Sequence, residues 1–402
     1  MRVSELVVGA SSIVSPLCYT VLRLEPYSAC PFGCVYCYSR WYTRGSSGGL
    51  YPRYGIVGVF RDLARVVRRR GLRPVPLRLA TLVDPFPPDE YIYGVTERLL
   101  SVALVLEYPL VVNTKSVYYR SGGVARKLEA LLDRGLAVLQ VSLTTLDPSK
   151  ARVLEPLTPP PVERLRAARE LGSTGVPLVL RVSPFVPYAS LTGPGEVREF
   201  ASLCRELGVR HVIVEGLRVE RERSASILES LGVRGVELEG YSLREVGGAK
   251  PVVRVSRTAL LPVYRLYSEA LRRAGVTFAT CKEGLLDLHT APDCCGVYLL
   301  KEGAVRYTLY DLYRYATEVS ARIPLPLDYA VVREVCRRFA RLYLEELAEY
   351  PRVVSKGLRY HERKLLKVLH SVEILEHVAP ALLRVLDLGA ILERLGEPPK
   401  YL

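Results

Sequence analysis

The sequence predicts an α/β protein built on a parallel β-sheet. Between residues 20 and 220, six short apolar stretches alternate with longer stretches of helical periodicity, and strands joined by helical crossovers pair in parallel. The chain has 402 residues, 49% of them hydrophobic, which suits one large domain and an addition. We predict a lead-in over residues 1–19, an α/β domain over 20–220 and a mainly helical region over 221–402.

The predicted elements follow one another in the order that such a fold requires. The strands are Thr20–Leu24, Val75–Ala80, Leu110–Asn113, Ala137–Leu143, Val176–Val182 and His211–Val214. The helices are Ile56–Arg70, Tyr91–Glu107, Gly123–Arg134, Val162–Leu171, Gly195–Leu207, Thr258–Ala274, Tyr329–Leu347 and Gly357–Leu392, the last divided at Pro380. Tyr42–Tyr54 reads as a loop. This pattern is compatible with a closed or partial barrel and with a flat doubly wound sheet, and each places its chemistry at the carboxyl ends of the strands.

Three cysteines, Cys30, Cys34 and Cys37, lie on the loop after the first predicted strand. Thiolates at this spacing can converge on one 4Fe-4S cluster, and because a cluster held wholly by protein needs four ligands, one iron stays open. S-adenosylmethionine (SAM) can bind such an iron through its amino and carboxylate groups. The alternative is a structural zinc loop, although no nearby fourth cysteine completes one.

This loop, with the aromatic residues Phe32, Tyr36 and Tyr38 around its thiols, resembles the cysteine motif of the radical SAM superfamily. The resemblance implies a partial (β/α)6 barrel, a 4Fe-4S cluster, SAM as cofactor and a reducing partner such as ferredoxin or flavodoxin. Further strings at successive strand ends resemble the spore photoproduct lyase-like branch over about residues 20 to 220. They are Asp84-Pro85-Phe86, Thr114-Lys115-Ser116, Ser142-Leu143-Thr144-Thr145-Leu146-Asp147, Leu154-Glu155-Pro156 and Arg181-Val182-Ser183-Pro184-Phe185.

The resemblance also implies roles for residues at the strand ends. Lys115 and Ser142 are expected to contact the SAM carboxylate, and Tyr36 is expected to place its backbone near the adenine. Asp84 stands where the superfamily usually has a Gly-Gly-Glu string, which leaves the binding of the SAM amino group open. For Lys115 the alternative is a salt bridge to Asp84 or Glu90.

Two arginines end later predicted strands. Arg181 and Arg218 can face either SAM or a substrate phosphate. The alternative for each is a buried ion pair with Glu155 or Glu215.

A second group of potential ligands follows the helix predicted at Thr258–Ala274. Cys281, His289, Cys294 and Cys295 are enough for a tetrahedral zinc ion or an auxiliary iron–sulfur cluster. The alternatives are a catalytic thiol that returns hydrogen to a radical, and a packed loop. We predict that this segment covers the open mouth of the barrel near SAM. Three further cysteines in apolar contexts are predicted core thiols: Cys18, Cys204 and Cys336.

The charge of the chain bears on its partner. The formal net charge is +14, which suits nucleic acid but also occurs in other basic enzymes. The segment Arg352 to His370 collects basic residues beside Tyr360, a pattern typical of phosphate binding and base stacking or of a solvated helix face.

The predicted function is that of a radical SAM enzyme, a lyase or a transferase. It would cleave SAM reductively to a 5'-deoxyadenosyl radical and abstract hydrogen from a DNA or RNA substrate, in lesion repair or modification. The alternatives are radical chemistry on a peptide or small molecule, and a non-catalytic metal-cluster protein that binds nucleic acid. No long apolar run or signal-peptide pattern occurs, which predicts a cytoplasmic protein without a membrane partner.

Overall fold

The computed structural model describes residues 6, 14–41, 49–172, 175–230, 232–241, 251–343 and 345–387. Most of the predicted lead-in, much of the Tyr42–Tyr54 loop and residues 388–392 of the last predicted helix lie outside them. The α-helices of the described residues are Val14–Leu17, Gly55–Arg69, Glu90–Tyr93, Val95–Leu106, Gly122–Asp133, Pro148–Leu154, Pro161–Gly172, Pro194–Glu206, Ser224–Ser230, Arg257–Arg273, Leu309–Val319, Tyr329–Arg338, Arg352–Leu369 and Val372–Val378. Of these, none has the length and apolar character to cross a membrane.

Seven strands of the described chain form one sheet, and their spatial order follows the sequence. They are Arg23–Leu24, Leu77–Leu79, Leu110–Thr114, Ala137–Ser142, Leu178–Phe185, Val209–Gly216 and Thr277–Thr280. Every neighbouring pair is parallel. The first and seventh strands do not pair within the described residues, so the sheet is an open, partial barrel. The predicted α/β partial barrel is confirmed.

The prediction that the alternation stops near residue 220 is wrong. Helix Arg257–Arg273 leads into strand Thr277–Thr280, which pairs in parallel with Val209–Gly216 and adds a seventh strand. Along the chain, an antiparallel sheet is inserted between the sixth and seventh strands. It consists of Arg218–Glu220, Leu238–Gly240 and Val252–Val255. Because this insertion separates the sixth and seventh strands along the chain, the periodic pattern is interrupted there.

The helices around the barrel form where apolar residues recur at helical spacing. In Gly55–Arg69 the buried residues include Ile56, Phe60, Leu63 and Val67, three or four positions apart and therefore on one face. This face packs on the outside of the sheet within the larger core cluster. The helix is held mainly by that packing, since an isolated helix of this length is marginal in water.

The two faces of the sheet are buried against different parts of the chain. Successive side chains of a strand point to opposite faces, so Leu110 and Val112 pack with the outer helices. Val111 and Val138 point inward and share a second core cluster with Val297. The segment after the seventh strand therefore runs through the barrel interior.

The helical region after residue 300 bridges the gap between the first and seventh strands. Arg352–Leu369 packs against Val14–Leu17, which leads into the first strand. The turn at Pro380–Arg384 packs against Leu286–Leu288, which follows the seventh strand. The predicted mainly helical C-terminal region is confirmed, and it closes the side of the barrel.

The ends of these helices differ from the predicted ends. Tyr329–Arg338 stops well before Leu347 because Ala340 adopts a left-handed backbone with φ of 54°. The last predicted helix begins earlier, at Arg352, and breaks before Pro380. Its break is at Ser371, whose side chain accepts from the Ile374 N–H and starts a new helix.

Candidate active site

An open cleft lies at the carboxyl ends of the parallel strands. About 1170 Å³ of space lies within it, including the open solvent at its mouth. The residues for which the sequence predicts cluster or SAM binding all border this cleft: Cys30, Cys34, Cys37, Tyr36, Asp84, Lys115, Ser142 and Arg181. They come from five different strand ends and meet because parallel strands finish at the same edge of the sheet.

The loop that carries Cys30, Cys34 and Cys37 turns at a glycine. Gly33 has a φ of 65°, a left-handed conformation that glycine adopts at little cost. The following turn is closed by a hydrogen bond from Cys37 N to Cys34 O at 3.2 Å. This turn brings all three cysteines to the wall of the cleft.

These cysteines have the donor chemistry of a 4Fe-4S site. Burial raises the pKa of Cys30 and of Cys34 to about 12, so their thiolates need a bound cation to be stable. Three thiols on one cleft match a cluster with one open iron. Among the described residues, no three His, Cys, Asp or Glu side chains already form a metal site. The match of these residues to a 4Fe-4S cluster therefore rests on the three thiols as donors and on the cleft that they share.

Lys115 forms a salt bridge, but with neither Asp84 nor Glu90, the partners considered from the sequence. Its Nζ lies 3.2 Å from Glu155 Oε1 and donates to Ser183 O at 2.8 Å. Lys115 also borders the cleft. Its ammonium group can thus meet a cofactor carboxylate in the cleft while Glu155 neutralises it from the protein side.

Glu155 is buried at the centre of a polar network. It contacts the Arg164 guanidinium and the Tyr36 hydroxyl, and it accepts from Thr144 Oγ1 at 2.6 Å. Burial alone would raise the pKa of Glu155. Lys115, Arg164 and the two hydroxyl hydrogen bonds outweigh it and hold this pKa at about 2.

Asp84 holds the neighbouring strand ends together. Its carboxylate accepts from Lys115 N at 2.7 Å, Phe86 N at 3.0 Å and Thr114 Oγ1 at 2.8 Å. Burial raises the pKa of Asp84, while these hydrogen bonds oppose the change. Asp84 thus fixes the backbone that carries Lys115.

Glu215 is shared by three cations on the opposite wall. Arg181 Nη2 lies 2.6 Å from Glu215 Oε2, Lys282 Nζ lies 3.2 Å from Oε1, and Arg218 contacts Oε1 as well. The ion pairs considered for Arg181 and Arg218 are thus present with Glu215, whereas Glu155 pairs with Lys115 and Arg164. Three cations against one carboxylate leave this wall positive, which suits a carboxylate or phosphate ligand.

The segment from Cys281 to Cys295 begins near the SAM cleft as predicted, because Lys282 lines the cleft, but it then enters the barrel and does not cover its mouth. Cys281 N donates to Val214 O at 2.8 Å, which continues the seventh strand. Cys294 and Cys295 are buried inside the sheet, and Asp293 accepts the Cys295 N–H at 2.8 Å. The apolar inner face of the sheet explains this placement, because Leu286, Cys294 and Val297 pack against it.

Cys18 and Cys295 meet beneath the floor of the cleft. Cys295 Sγ lies 3.5 Å from Thr20 Oγ1 and 3.4 Å from Arg78 Nη2, and Cys18, Thr20 and Arg78 border the cleft. A hydrogen bond to Cys295 raises the pKa of Cys18. Hydrogen bonds from Cys18 and Cys294, together with Arg78, lower the pKa of Cys295. Cys18, Cys204 and Cys336 are all buried as predicted. Of these three, Cys18 also borders the cleft and interacts with Cys295.

His289 does not join the cysteines. Its Nε2 lies 2.8 Å from Thr280 Oγ1, and its ring packs edge-on to Tyr310 at 4.7 Å between centroids. The sulfurs of Cys294 and Cys295 lie 3.8 Å apart, and no three ligating side chains form a metal site in the described part of the chain. The structure gives no support to a second metal.

Sequence reasoning missed the polar residues inside the barrel. Arg78 stands between Leu77 and Leu79 on a buried strand, and Gln140 donates through Nε2 to Cys295 O at 2.6 Å. A charged or amide side chain in the middle of an apolar strand was the available signal, because it is costly to bury without a partner.

The part of the chain around the cleft is similar to known proteins. Residues 24–214 match the family model described as "Radical SAM superfamily". The chain is 30% identical over 173 residues to "Uncharacterized protein ORF301" of Acidianus two-tailed virus, covering 41% of this chain and 53% of the relative. It is 28% identical over 189 residues to "Uncharacterized protein Mb2609c" of Mycobacterium bovis, covering 45% and 53%. The chain thus spans about half the length of these relatives.

Solved structures share the fold. A spore photoproduct lyase variant with dinucleoside spore photoproduct has a TM-score of 0.50 and 15% identity, covering 65% of this chain and 77% of that one. A second variant of the same enzyme has a TM-score of 0.50 and 16% identity over the same shares. At such identities the likeness concerns the fold.

Proposed function

We propose that this chain, of which residues 24–214 match the radical SAM superfamily model, cleaves SAM reductively and acts on a nucleic acid. The domain implies a 4Fe-4S cluster and SAM. The observation that carries the proposal is the single cleft in which Cys30, Cys34 and Cys37 face Lys115 and Arg181. One wall supplies thiols for the cluster, and the other supplies cations for an anionic ligand.

The residues of the cleft have separate tasks. The three cysteines would hold the cluster, Lys115 and Ser142 would bind the SAM carboxylate, and Tyr36 would support the adenine side. Cluster and SAM together supply a 5'-deoxyadenosyl radical that removes hydrogen from the substrate. Because burial excludes competing donors, the enclosed floor of the cleft protects such a radical.

We infer that the buried thiols would return a hydrogen atom. A carbon radical in the cleft would take hydrogen from Cys18: a C–H bond forms, the S–H bond breaks and a sulfur radical remains. Cys295 contacts that sulfur, and Cys294 and Cys281 continue the row of thiols. One electron and one proton, supplied through a reducing partner of the ferredoxin or flavodoxin class, restore the thiol.

A nucleic-acid substrate is supported by the surface charge. The exposed face of helix Arg352–Leu369 presents basic residues three or four positions apart: Arg352, Lys356, Arg359, Arg363 and Lys367. Tyr360 is exposed beside them, whereas Glu362 is buried. Such a stripe can follow a phosphate backbone. The spore photoproduct lyase that shares the fold holds a dinucleoside photoproduct, which agrees with this class of substrate.

Two measurements on the reconstituted holoenzyme test the proposal. Production of 5'-deoxyadenosine with a reductant tests SAM cleavage, and its stimulation by DNA or RNA oligonucleotides tests the substrate class. Arg359→Glu/Arg363→Glu should reduce the slope of log affinity against log salt by about 2. Arg61→Glu/Arg65→Glu, on the exposed face of another helix, is the matched control. No oligonucleotide binding by the parent protein would refute the nucleic-acid assignment.

A further inference from the structure

Exposed aromatic and apolar side chains are concentrated around the mouth of the cleft. They lie on the connections that follow five successive strands: Tyr51 and Tyr54, Tyr91 and Ile92, Tyr118, Leu157, and Tyr188. Tyr91 is 93% exposed and Tyr188 is 63% exposed. Single exposed apolar residues are ordinary, but an arc with a member on every one of these connections is a continuous feature of one rim.

The opposite end of the barrel provides the contrast. Within the described ranges, no exposed aromatic side chain falls on the connections that lead from a helix into a strand of the barrel, although Val105 is exposed in the last helical turn before one of them. The exposed rings on the connections of the barrel are therefore confined to its cleft end.

The backbone of Tyr188 adds an independent observation. Its φ is 64°, a left-handed conformation that is unfavourable for a bulky residue and tends to occur at functional sites. Lys150 Nζ donates to Tyr188 O at 2.7 Å, which places an ammonium group at the backbone of this residue. Tyr188 thus keeps an unfavourable backbone conformation although its ring gains no burial in return.

Cations accompany the other tyrosines as well. The Arg98 guanidinium lies 5.0 Å from the centroid of the Tyr54 ring. Exposed Arg53 is next to Tyr54 in the sequence, and exposed Arg120, two residues after Tyr118, forms a salt bridge with Glu170. Rings interleaved with cations match a ligand that has flat aromatic groups on an anionic backbone.

We propose that this tyrosine arc stacks the unpaired bases of a single-stranded or locally opened nucleic acid and leads one nucleotide into the cleft. The inference rests on the proposed nucleic-acid substrate and specifies its form. Bases inside an intact duplex are stacked on one another and do not offer their faces to tyrosine rings. The basic helix Arg352–Leu369 would hold phosphates, whereas the tyrosine arc would hold bases.

The test measures binding of labelled oligonucleotides of about 12 nucleotides to the holoenzyme by fluorescence anisotropy. The probes are a single strand, its abasic analogue and the matching duplex. Tyr91→Ala/Tyr118→Ala/Tyr188→Ala should weaken binding of the single strand about tenfold or more, with an unchanged salt slope because no charge is removed. Tyr329→Ala, which removes an exposed tyrosine far from the arc, should leave binding unchanged. Unaltered circular dichroism and SAM cleavage without substrate verify that the triple variant is folded.

The outcomes separate the inference from the proposed function. If the parent protein binds the single strand, prefers it to the abasic analogue and loses that preference in the triple variant, the tyrosine arc is a base-stacking site. If the parent protein binds all three probes equally, or the triple variant keeps the preference, the arc does not stack bases although the nucleic-acid assignment stands. If the parent protein binds none of them, both fail, and the arc then suits a protein partner.

Discussion

The two cysteine segments of this chain have similar composition and opposite surroundings. Cys30, Cys34 and Cys37 lie on a glycine-containing loop at the wall of an open cleft. Cys294 and Cys295 are enclosed by the inner face of the sheet, where Cys295 contacts Thr20 and Arg78. The first group can take up a large cofactor without disturbing the core, whereas any ligand at the second would displace packed residues.

The comparison shows that spacing and surroundings carry different information. Three thiols at short spacing identify donors that can converge. Whether they face a cofactor or the core depends on the strand that precedes them and on the face of the sheet that needs filling. The predictions below test this contrast, beginning with the largest effect.

Replacing any one of Cys30, Cys34 or Cys37 by Ala should abolish both the iron–sulfur absorption and SAM cleavage, because each supplies one of three cluster thiolates. Cys204→Ala, which removes a buried helical thiol elsewhere, is the matched control and should retain both. Absorption spectra and 5'-deoxyadenosine assays of anaerobically reconstituted protein make the comparison. A full cluster in any of the three loop variants would refute the assignment of that loop.

In contrast, Cys18→Ala and Cys295→Ala should keep the cluster and SAM cleavage but lose product formation from an oligonucleotide substrate. The reason is that, in the proposed function, these thiols would return hydrogen after SAM has been cleaved. Mass spectrometry of the oligonucleotide and quantification of 5'-deoxyadenosine give the two readouts. Normal product yield in both variants would leave these thiols with a packing role alone.

Much of the barrel could be predicted because its signals are local. The six predicted strands all exist, since apolar runs bounded by turn residues determine them within a few residues. The seventh strand was missed because Thr277–Thr280 is short and pairs with a strand that lies before the antiparallel insertion. Two strands this far apart along the chain can pair without any regular spacing of apolar residues that would predict the pairing.

The site was predictable in its residues but less so in their contacts. Cys30 and Lys115 could be identified from motifs, and both border the cleft. The salt bridge from Lys115 to Glu155 joins a strand end to the residue that follows helix Pro148–Leu154, so spacing could not identify the partner. Arg78 was missed because its contact with Cys295 depends on how the later segment enters the barrel.

A buried carboxylate lies near each cysteine segment, Glu155 near the first and Asp293 beside the second. The contributions of the two carboxylates to stability should depend on pH in opposite directions. The pKa of Glu155 falls from 4.5 to about 2 on folding, so its stabilisation is present above pH 4.5 and is lost as pH falls toward 2. The shift corresponds to about 3 kcal/mol. Burial instead raises the pKa of Asp293, so acid relieves the cost of its charge.

Urea unfolding followed by circular dichroism between pH 6 and pH 3 measures this difference. Glu155→Gln should be less stable at pH 6, by about 3 kcal/mol, and should lose less further stability on acidification than the parent protein. Asp293→Asn should retain the acid-dependent loss due to Glu155. Equal pH dependence in the parent protein and Glu155→Gln would contradict the depressed pKa of Glu155.

The smallest predicted effect concerns SAM affinity within the cleft. Lys115→Ala should leave the cluster intact and weaken SAM binding by roughly 1.5–3 kcal/mol, the value of one hydrogen bond to a charged group. The removed ammonium group borders the cleft, and Asp84 fixes its backbone by accepting the Lys115 N–H at 2.7 Å. Anaerobic titration of the reconstituted protein with SAM measures the change.

Lys282→Ala is the matched control because Lys282 borders the same cleft and pairs with Glu215 at 3.2 Å. If Lys115 binds the SAM carboxylate directly, its loss weakens SAM binding more than the loss of Lys282. If the cleft attracts SAM through its overall positive charge, the two variants weaken binding equally and the effect decreases with salt. Unchanged affinity in Lys115→Ala would leave Lys115 as the salt-bridge partner of Glu155, a buried support of the cleft wall. The cysteine loop would then carry cofactor binding without it.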